Sequence, residues 1–387
     1  MYRVFKTNSY RDLDGAWGSI TDLFTDKSQL YCSTPKALWF IPTSPQRLTT
    51  NESNIYVGTG DILSVPPSLI SSTLQGYGGS TYQHTRTSTE FGNFLIDDRS
   101  RKILHLADGL KEISAKGMSN FFEENLSLQL DRSIYSQTGV HYQKLYPHSH
   151  EGIGYQIAYD PKFRRVIVSK KDYKPLLPVG LIGQTVIPNK LFYDSANNIF
   201  YVWSNGRVQR VNLWDEAYFE NVSFTVSYSL EFQAWSSFHS YLPNFIFNDN
   251  KTFYTSIDEG LYDHSIGNFQ TYYGDKKDHI LEVISNQSPS QTKVFTGLTY
   301  SAIVEDYMST QKAYRTVQDV TFSRLIAYTQ DQTTGLQDIV VKTNSFDNII
   351  QLDGASVAAY YKDSTWYINE LRDMNISHGD IPIFSSA

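Results

Sequence analysis

Apolar and polar positions alternate over much of this chain, most densely between Val222 and Gly274. Phe224, Val226 and Tyr228 are spaced by small polar residues, the period-2 pattern of a half-buried strand. Trp235–His239 follows after a short polar link. Phe245–Phe247 runs into Asn248-Asp249-Asn250-Lys251, which is turn chemistry. Thr252–Ile257 and Leu261–His264 complete the series. Short strands at this density, within roughly fifty residues, predict one blade of a β-propeller or one Greek-key sheet.

The inner part of this pattern recurs. FLIDDRSRKILHLADGL (94–110), LFYDSANNIFYVWSNGR (191–207) and FIFNDNKTFYTSIDEGL (245–261) align without gaps. Each carries Asp97, Asp194 or Asn248 after an apolar pair, and twelve residues later Gly109, Gly206 or Gly260. Asp108, Asn205 and Glu259 precede those glycines. The spacing predicts a hairpin, then a second turn in which glycine takes positive φ. Tyr155–Tyr173 is a looser copy and Gln29–Pro42 a candidate fifth. The expected fold class is therefore all-β and propeller-like, built from repeated antiparallel hairpins or blades.

One stretch departs from the β pattern. In Ser114–Leu130, Phe121, Phe122 and Leu126 share helical spacing, Ser119 is an N-cap candidate, and Glu123 and Glu124 lie near the start. One short helical insertion is expected at about 114–130, followed by a polar, histidine-bearing loop over Asp131–Gly152. Elsewhere, strands are expected at Tyr2–Phe5, Asn54–Leu63, Ile280–Val304, Thr316–Tyr328 and Gln337–Thr343, and a closing strand pair at Tyr360–Leu371. No low-complexity linker divides the chain, so the expected organisation is a propeller-like domain over 1–343 and C-terminal closing strands and tail over 344–387.

Composition narrows the function classes. Of 387 residues, 14% are aromatic, led by 28 Tyr and 22 Phe, and only 19% are charged, a balance that suits strands and interfaces. The net charge of −7 provides no overall basic field to hold nucleic acid non-specifically. A single cysteine, Cys32, rules out an internal disulfide framework or cysteine metal cage. No apolar run approaches membrane-spanning length. The opening lacks a signal-peptide core and reads as mid-strand, so Met1 is expected to be an internal boundary of a longer chain.

Each candidate site has a plainer reading beside it. His141, His148, His150 and Glu151 could offer imidazoles and a carboxylate to a metal. Their spacing matches no mechanistic motif, and the reading adopted is a polar loop, with no metal and no cofactor. Paired acids at Asp97-Asp98, Asp215-Glu216 and Asp258-Glu259 could serve glycoside hydrolysis, but two of the pairs fall at repeat turns, where acids serve turn geometry. Asp363-Ser364-Thr365-Trp366 lacks the spacing and glycine of a sialidase turn. Gly58-Thr59-Gly60 is followed by no helix bearing a third glycine. Trp203, Trp214 and Trp235 could stack on sugars, though aromatic residues at strand positions more often belong to a core. The sequons at Asn125 and Asn221 are of chance frequency in so Asn-, Ser- and Thr-rich a chain. No catalytic residue is assigned, and Gly109, Gly206 and Gly260 are kept as structural turns.

Several phrases in fixed order resemble the tail muzzle proteins of crAss-like bacteriophages, also called tail stabilisation proteins. They are Ile55–Asp61 with Pro66-Pro67, Gly76–Gly79, Leu110–Asn125, Tyr159–Tyr173, Trp235–Pro243, Gly267–Gly274 and Trp366–Asp373. The resemblance runs from about Arg11 to Asp373 and is to the C-terminal part of longer proteins. It implies a virion structural protein, not an enzyme: a homo-oligomeric ring, a muzzle or nozzle at the distal tail. Its partners would be other phage tail proteins, with DNA passing through transiently and without specific binding. A glycan-binding propeller, or a glycoside-processing one, is the rival expectation.

Overall fold

The computed structural model describes residues 10–43, 46–49, 54–57, 63, 65–71, 77–142, 153–183, 188–204, 206–258, 260–285, 293–308, 310–311, 313–317, 320–329, 332–342, 356–371 and 384–386. Over these residues the chain is nearly all-β, with two α-helices, Ser119–Asn125 and Gln129–Thr138. It divides into two compact units, Met1–Ser265 and Ile266–Ala387.

In the first unit, four antiparallel sheets follow one another along the chain. The first orders Asp22–Asp26, Gln29–Ser33, Leu38–Ile41 and Ser68–Leu69. The second is a meander of Arg86–Thr89, Gly92–Asp97, Lys102–Leu106 and Leu110–Glu112. The third joins Gly154–Asp160 and Arg165–Lys171 to Phe224–Ser229 and Ala234–His239. The fourth has three strands, Phe245–Asn248, Phe253–Ile257 and Gly260–Asp263.

The sheets pack face to face because successive side chains of a strand point to opposite faces. Leu95 and Leu106 of the second sheet meet Phe24, Tyr31 and Leu38 of the first. Phe94, Ile96 and Ile103, on its other face, meet Tyr155, Ile157, Val166, Val168, Val226 and Tyr228 of the third. Gly92–Asp97 is consequently buried at every position. The third and fourth sheets are joined through Gln156: its Nε2 donates to Asn244 O (2.6 Å), and its Oε1 accepts from Ile246 N (2.7 Å).

The stretch Val222–Gly274 is thus not one blade. Its first two strands belong to the third sheet and the next three form the fourth. Period-2 alternation marks a strand and one buried face but does not name the partner. Phe224–Ser229 pairs on one side with Ala234–His239 and on the other with Arg165–Lys171, far back in the chain. Between these two strands lies an insertion with its own sheet, in which Val179–Leu181 runs parallel to Leu191–Asp194, followed by Ile199–Ser204 and Arg207–Val211.

The expected repeat survives in its first turn in two of the three gap-free copies, at Asp97 and Asp194, and in the looser copy at Asp160; in the third, Asn248 pairs with Phe253 across four loop residues, none of them left-handed. Asp97 pairs with Lys102, Asp160 with Arg165 and Asp194 with Ile199, each leaving four loop residues (98–101, 161–164, 195–198). The fourth loop residue is left-handed in each: Arg101 (φ 58°), Arg164 (φ 47°) and Asn198 (φ 57°). Asp97 Oδ1 accepts from Arg99 N and Ser100 N, and Asp194 Oδ1 from Ala196 N and Asn197 N. Such bonds give the turning backbone the partners it loses when it leaves the ladder. Ser229 plays the same part before Gln233 (φ 50°), a further copy with serine for aspartate.

The helix Ser119–Asn125 begins at Ser119 itself, after Met118, and no side chain at that position caps it. A second helix occupies the expected loop. The cap for Gln129–Thr138 comes from a distant part of the chain: Asp172 Oδ2 accepts from Gln129 N (2.6 Å) and Oδ1 from Leu130 N (3.2 Å). The helix ends at Gly139, left-handed at φ 73°, whose N–H bonds Tyr135 O.

The second unit has a five-stranded sheet ordered Leu298–Tyr300, Thr365–Ile368, Ser356–Lys362, Gln337–Lys342 and Arg324–Leu325. Val357, Ala359, Trp366, Ile368 and Leu371 form its core. The expected closing pair is the hairpin Ser356–Lys362/Thr365–Ile368, turned by Asp363 (φ 51°) and Ser364 (φ 60°). Two positive φ values in a two-residue turn match the right-handed strand twist. The strand expected to begin at Ile280 does not form over 280–285, which carries no regular structure.

Candidate functional site

The most heavily constrained polar site lies where the helices meet the third sheet. Lys170 and Asp172 stand at the end of Arg165–Lys171, with Lys170 Nζ 2.7 Å from Asp172 Oδ2 and both side chains buried. Lys170 Nζ also donates to Asn125 O (2.6 Å) and Ser127 O (2.7 Å), the carbonyls that end the first helix and begin the link to the second. Asp172 caps the second helix and also accepts from Tyr173 N. Burial pushes the Lys170 ammonium down and the Asp172 carboxyl up from their ordinary values, and their mutual attraction opposes both shifts. Every visible bonding direction of the pair ends on the chain's own backbone or on its partner. Its chemistry is that of a fastener: it ties two helices to one sheet and leaves no group for a substrate.

A second cluster lies between the third and fourth sheets. His264 Nε2 is 2.7 Å from Thr255 Oγ1, and the Tyr241 ring lies against both His264 and His239. Burial, reinforced by Arg165, lowers His239 to about 3 and His264 to about 4. Both are neutral at pH 7 and act as ring contacts in the sheet interface.

The residues singled out in the sequence are not brought together. His141 Nδ1 lies 3.0 Å from Asp131 Oδ2, and its ring stacks on Tyr135. His148, His150 and Glu151 lie outside the described residues, as do Gly58, Thr59 and Gly60. Among the described residues no three His, Cys, Asp or Glu side chains gather as a metal site. Asp97 is buried, with Oδ2 accepting from Gly78 N (2.7 Å), and Asp98 Oδ1 accepts from Thr81 N (2.9 Å), so both acids of that pair brace neighbouring loops. Asp215 Oδ1 accepts from Ala217 N inside its own turn. Trp235 is half-buried against the core, its Nε1 donating to Ile113 O, whereas Trp203 and Trp214 are exposed.

The three glycines divide. Gly109 (φ 134°) and Gly206 (φ 74°) take the left-handed backbone expected of them, in open space. Gly260 does not. It opens the strand Gly260–Asp263, and the positive φ of that turn belongs to Asp258 (49°). A Cβ at 260 would lie 2.6 Å from the Tyr262 ring, so a side chain there would have to displace that ring. The registers explain the split: Leu106 pairs with Leu110, Ser204 with Arg207 and Ile257 with Gly260, which moves the aligned glycine from loop to strand in the third copy.

Sequence reasoning missed Lys170, Asp172, His239 and His264. Lys170 and Asp172 sit in a lysine-rich strand end that reads as solvated, and only their burial marks them. Two family models match the chain. One, described as Crassvirus muzzle protein, covers residues 1–259, and the other, Crassvirus muzzle protein C-terminal domain, covers residues 267–373. No curated protein matches it.

Proposed function

The chain belongs to the Crassvirus muzzle protein family, which makes it a crassvirus virion structural protein, and from that premise we propose that copies of it close into a ring at the distal tail. The ring is a muzzle through which DNA and ejected proteins pass. The observation that carries this reading is the pair of family matches, which together cover most of the chain. Two physical features support it. A chain of net charge −7 suits a conduit that DNA must cross without being retained. Large apolar side chains stand exposed in both units, among them Trp214 and Phe232 in the first and Ile303 and Tyr328 in the second, as surfaces meant for neighbouring chains do.

We further propose that the first unit is propeller-like. Its sheets stack in chain order as successive blades do, and each stacked sheet except the last has four strands. On this reading the chain is not an enzyme, since Asp97 and Asp98 serve loops and Asp172 serves a helix.

The test pairs two assays on the full chain. Duplex DNA retention across a salt series should be weak at moderate salt, and a panel of glycans, esters and phosphoesters should remain unhydrolysed. Tight, steeply salt-dependent DNA retention would overturn the passive conduit. Turnover abolished by Asp97→Asn or Asp258→Asn would move the protein to the enzymes. A second reading, host-glycan recognition, draws on exposed Trp203 and Trp214. A glycan-array signal lost in Trp214→Ala would favour it.

A further inference from the structure

The insertion between Arg165–Lys171 and Phe224–Ser229 carries a sheet with one covered face and one open face. Leu191, Tyr193, Phe200, Val202 and Val211 form a core with Leu130 and Ile134 of the helix Gln129–Thr138. The other face follows from the register, because residues opposite each other in an antiparallel pair share a face. Phe192 lies opposite Tyr201, Tyr201 opposite Arg210, and Trp203 opposite Val208. Phe192 is buried at the foot of this face, with Lys190 Nζ 5.9 Å from its ring centre. Tyr201 is half-buried, and Trp203, Val208 and Arg210 are exposed.

The state of its cations sets this face apart. Elsewhere in the first unit, an arginine over an aromatic ring already holds a carboxylate. Arg86 over Phe24 pairs with Asp22, Arg164 over Phe91 with Glu90, and Arg165 over Phe163 with Asp160. Among the described residues no carboxylate pairs with Arg210 or Lys190. Asp194, the acid of these strands, serves its own turn: Oδ1 accepts from Ala196 N and Asn197 N, and Oδ2 from Asn197 Nδ2. The face therefore offers aromatic surface beside positive charge that no anion of the described chain neutralises.

We propose that this face binds an acidic oligosaccharide, one sugar lying on the Trp203 ring and a neighbouring carboxylate held by Arg210. A sugar ring has an apolar C–H face that rests on a flat aromatic side chain, and a guanidinium takes a carboxylate through two parallel bonds. Size argues for a small ligand. A stable protein interface covers roughly 800 Å² per partner, whereas the open part here is two residues on each of two strands, about 7 Å along them and about 5 Å across. A polyphosphate strand is disfavoured by the net charge of −7. The inference rests on the glycan reading above and gives it a place and a charge class.

The test uses the full-length chain on an array of neutral and uronate-bearing oligosaccharides, with single-stranded DNA oligomers beside them. Binding to uronate-bearing members is expected, weakened by about tenfold or more in Trp203→Ala and in Arg210→Gln. Phe232→Ala, on a turn of the third sheet, should bind as the wild type does, and circular dichroism should be the same for all. Acidic glycans bound equally by both variants would overturn this site and leave the glycan reading standing. Neutral glycans bound as well as acidic ones, with Arg210→Gln silent, would overturn the charge class alone. DNA retained in place of glycan, and released by the same substitutions, would overturn the proposal in favour of nucleic acid. A wild-type chain that binds no member of the array would remove the glycan reading and this site together.

Discussion

Gly92–Asp97 in the first unit and Val304–Met308 in the second are strands of similar length, and their surroundings are opposite. The first is buried at all six positions, because sheets cover both its faces. The second, which among the described residues pairs only with Ala313–Val317, has no buried position. A strand's contribution therefore depends on how many of its faces are covered, not on its own apolar content. The first unit is stabilised by stacking, whereas the second relies on one sheet with a small core around Trp366 and leaves much apolar surface bare. In a subunit of a larger assembly, such surface is where the remaining burial occurs.

The sharpest way to break this comparison is to truncate one aromatic side chain on each side of it. Phe94→Ala removes a fully buried ring between two sheets and should cost about 3–5 kcal/mol in denaturant unfolding. Tyr307→Ala in the second unit should cost at most about 1 kcal/mol in the isolated chain, since its strand has no buried position. Equal losses would mean that covered and uncovered strands do not differ as described.

Breaking the buried fastener should rank next. Lys170→Met leaves Asp172 buried without its cation and should cost about 3–5 kcal/mol. Adding Asp172→Leu should recover part of the loss, while the helix Gln129–Thr138, deprived of its cap, should lose far-ultraviolet helical signal. Failure of the second substitution to recover any stability would argue that the charges contribute more than the buried volume does.

Acid should act on the stacked unit through its histidines. His239 and His264 have folded values of about 3 and about 4, below the ordinary histidine value of 6.5. The unfolded chain therefore binds protons first as pH falls. The stability due to the neutral rings is complete above pH 6.5 and declines as pH drops through 6.5 toward 4 and then 3, by about 1.4 kcal/mol per pH unit per ring at most. In His239→Phe/His264→Phe that slope should flatten. An unchanged slope would assign the acid sensitivity to other groups.

The smallest effects separate the glycines. Gly206→Val should cost about 1–3 kcal/mol through strain alone, since the backbone is left-handed and nothing is near. Gly260→Ala should also destabilise, but by crowding the Tyr262 ring, so Tyr262→Ala should relieve it. Relief at Gly206 by trimming a neighbour, or none at Gly260, would reverse the two assignments.

Much of this was legible along the chain. The hairpin at Asp97, the one at Asp194 and the closing pair around Asp363-Ser364 were all visible, because strand alternation and turn chemistry are local properties. The helix at Gln129 was not, since its cap, Asp172, arrives from 43 residues away. The fate of Gly260 was not, since a one-residue change in register moves an aligned glycine from a turn into a strand.

The amino-acid sequence by itself determined the all-β class, the four-residue turns that follow Asp97, Asp160 and Asp194, and the muzzle family, whose phrases are carried in order along the chain. Each is a matter of neighbours in sequence: side-chain alternation, a carboxylate two or three residues from the amides it satisfies, or a run of letters. Only the tertiary structure decided that the hairpin of Phe224–Ser229 and Ala234–His239 joins Arg165–Lys171 rather than the three strands that follow it, and that Lys170 and Asp172 are buried together. It alone left Ile280–Ile284 with its apolar side outward. The physical reason is common to all three. Burial belongs to the pair of surfaces that meet, and a strand's sequence specifies that one face seeks cover without specifying which surface provides it.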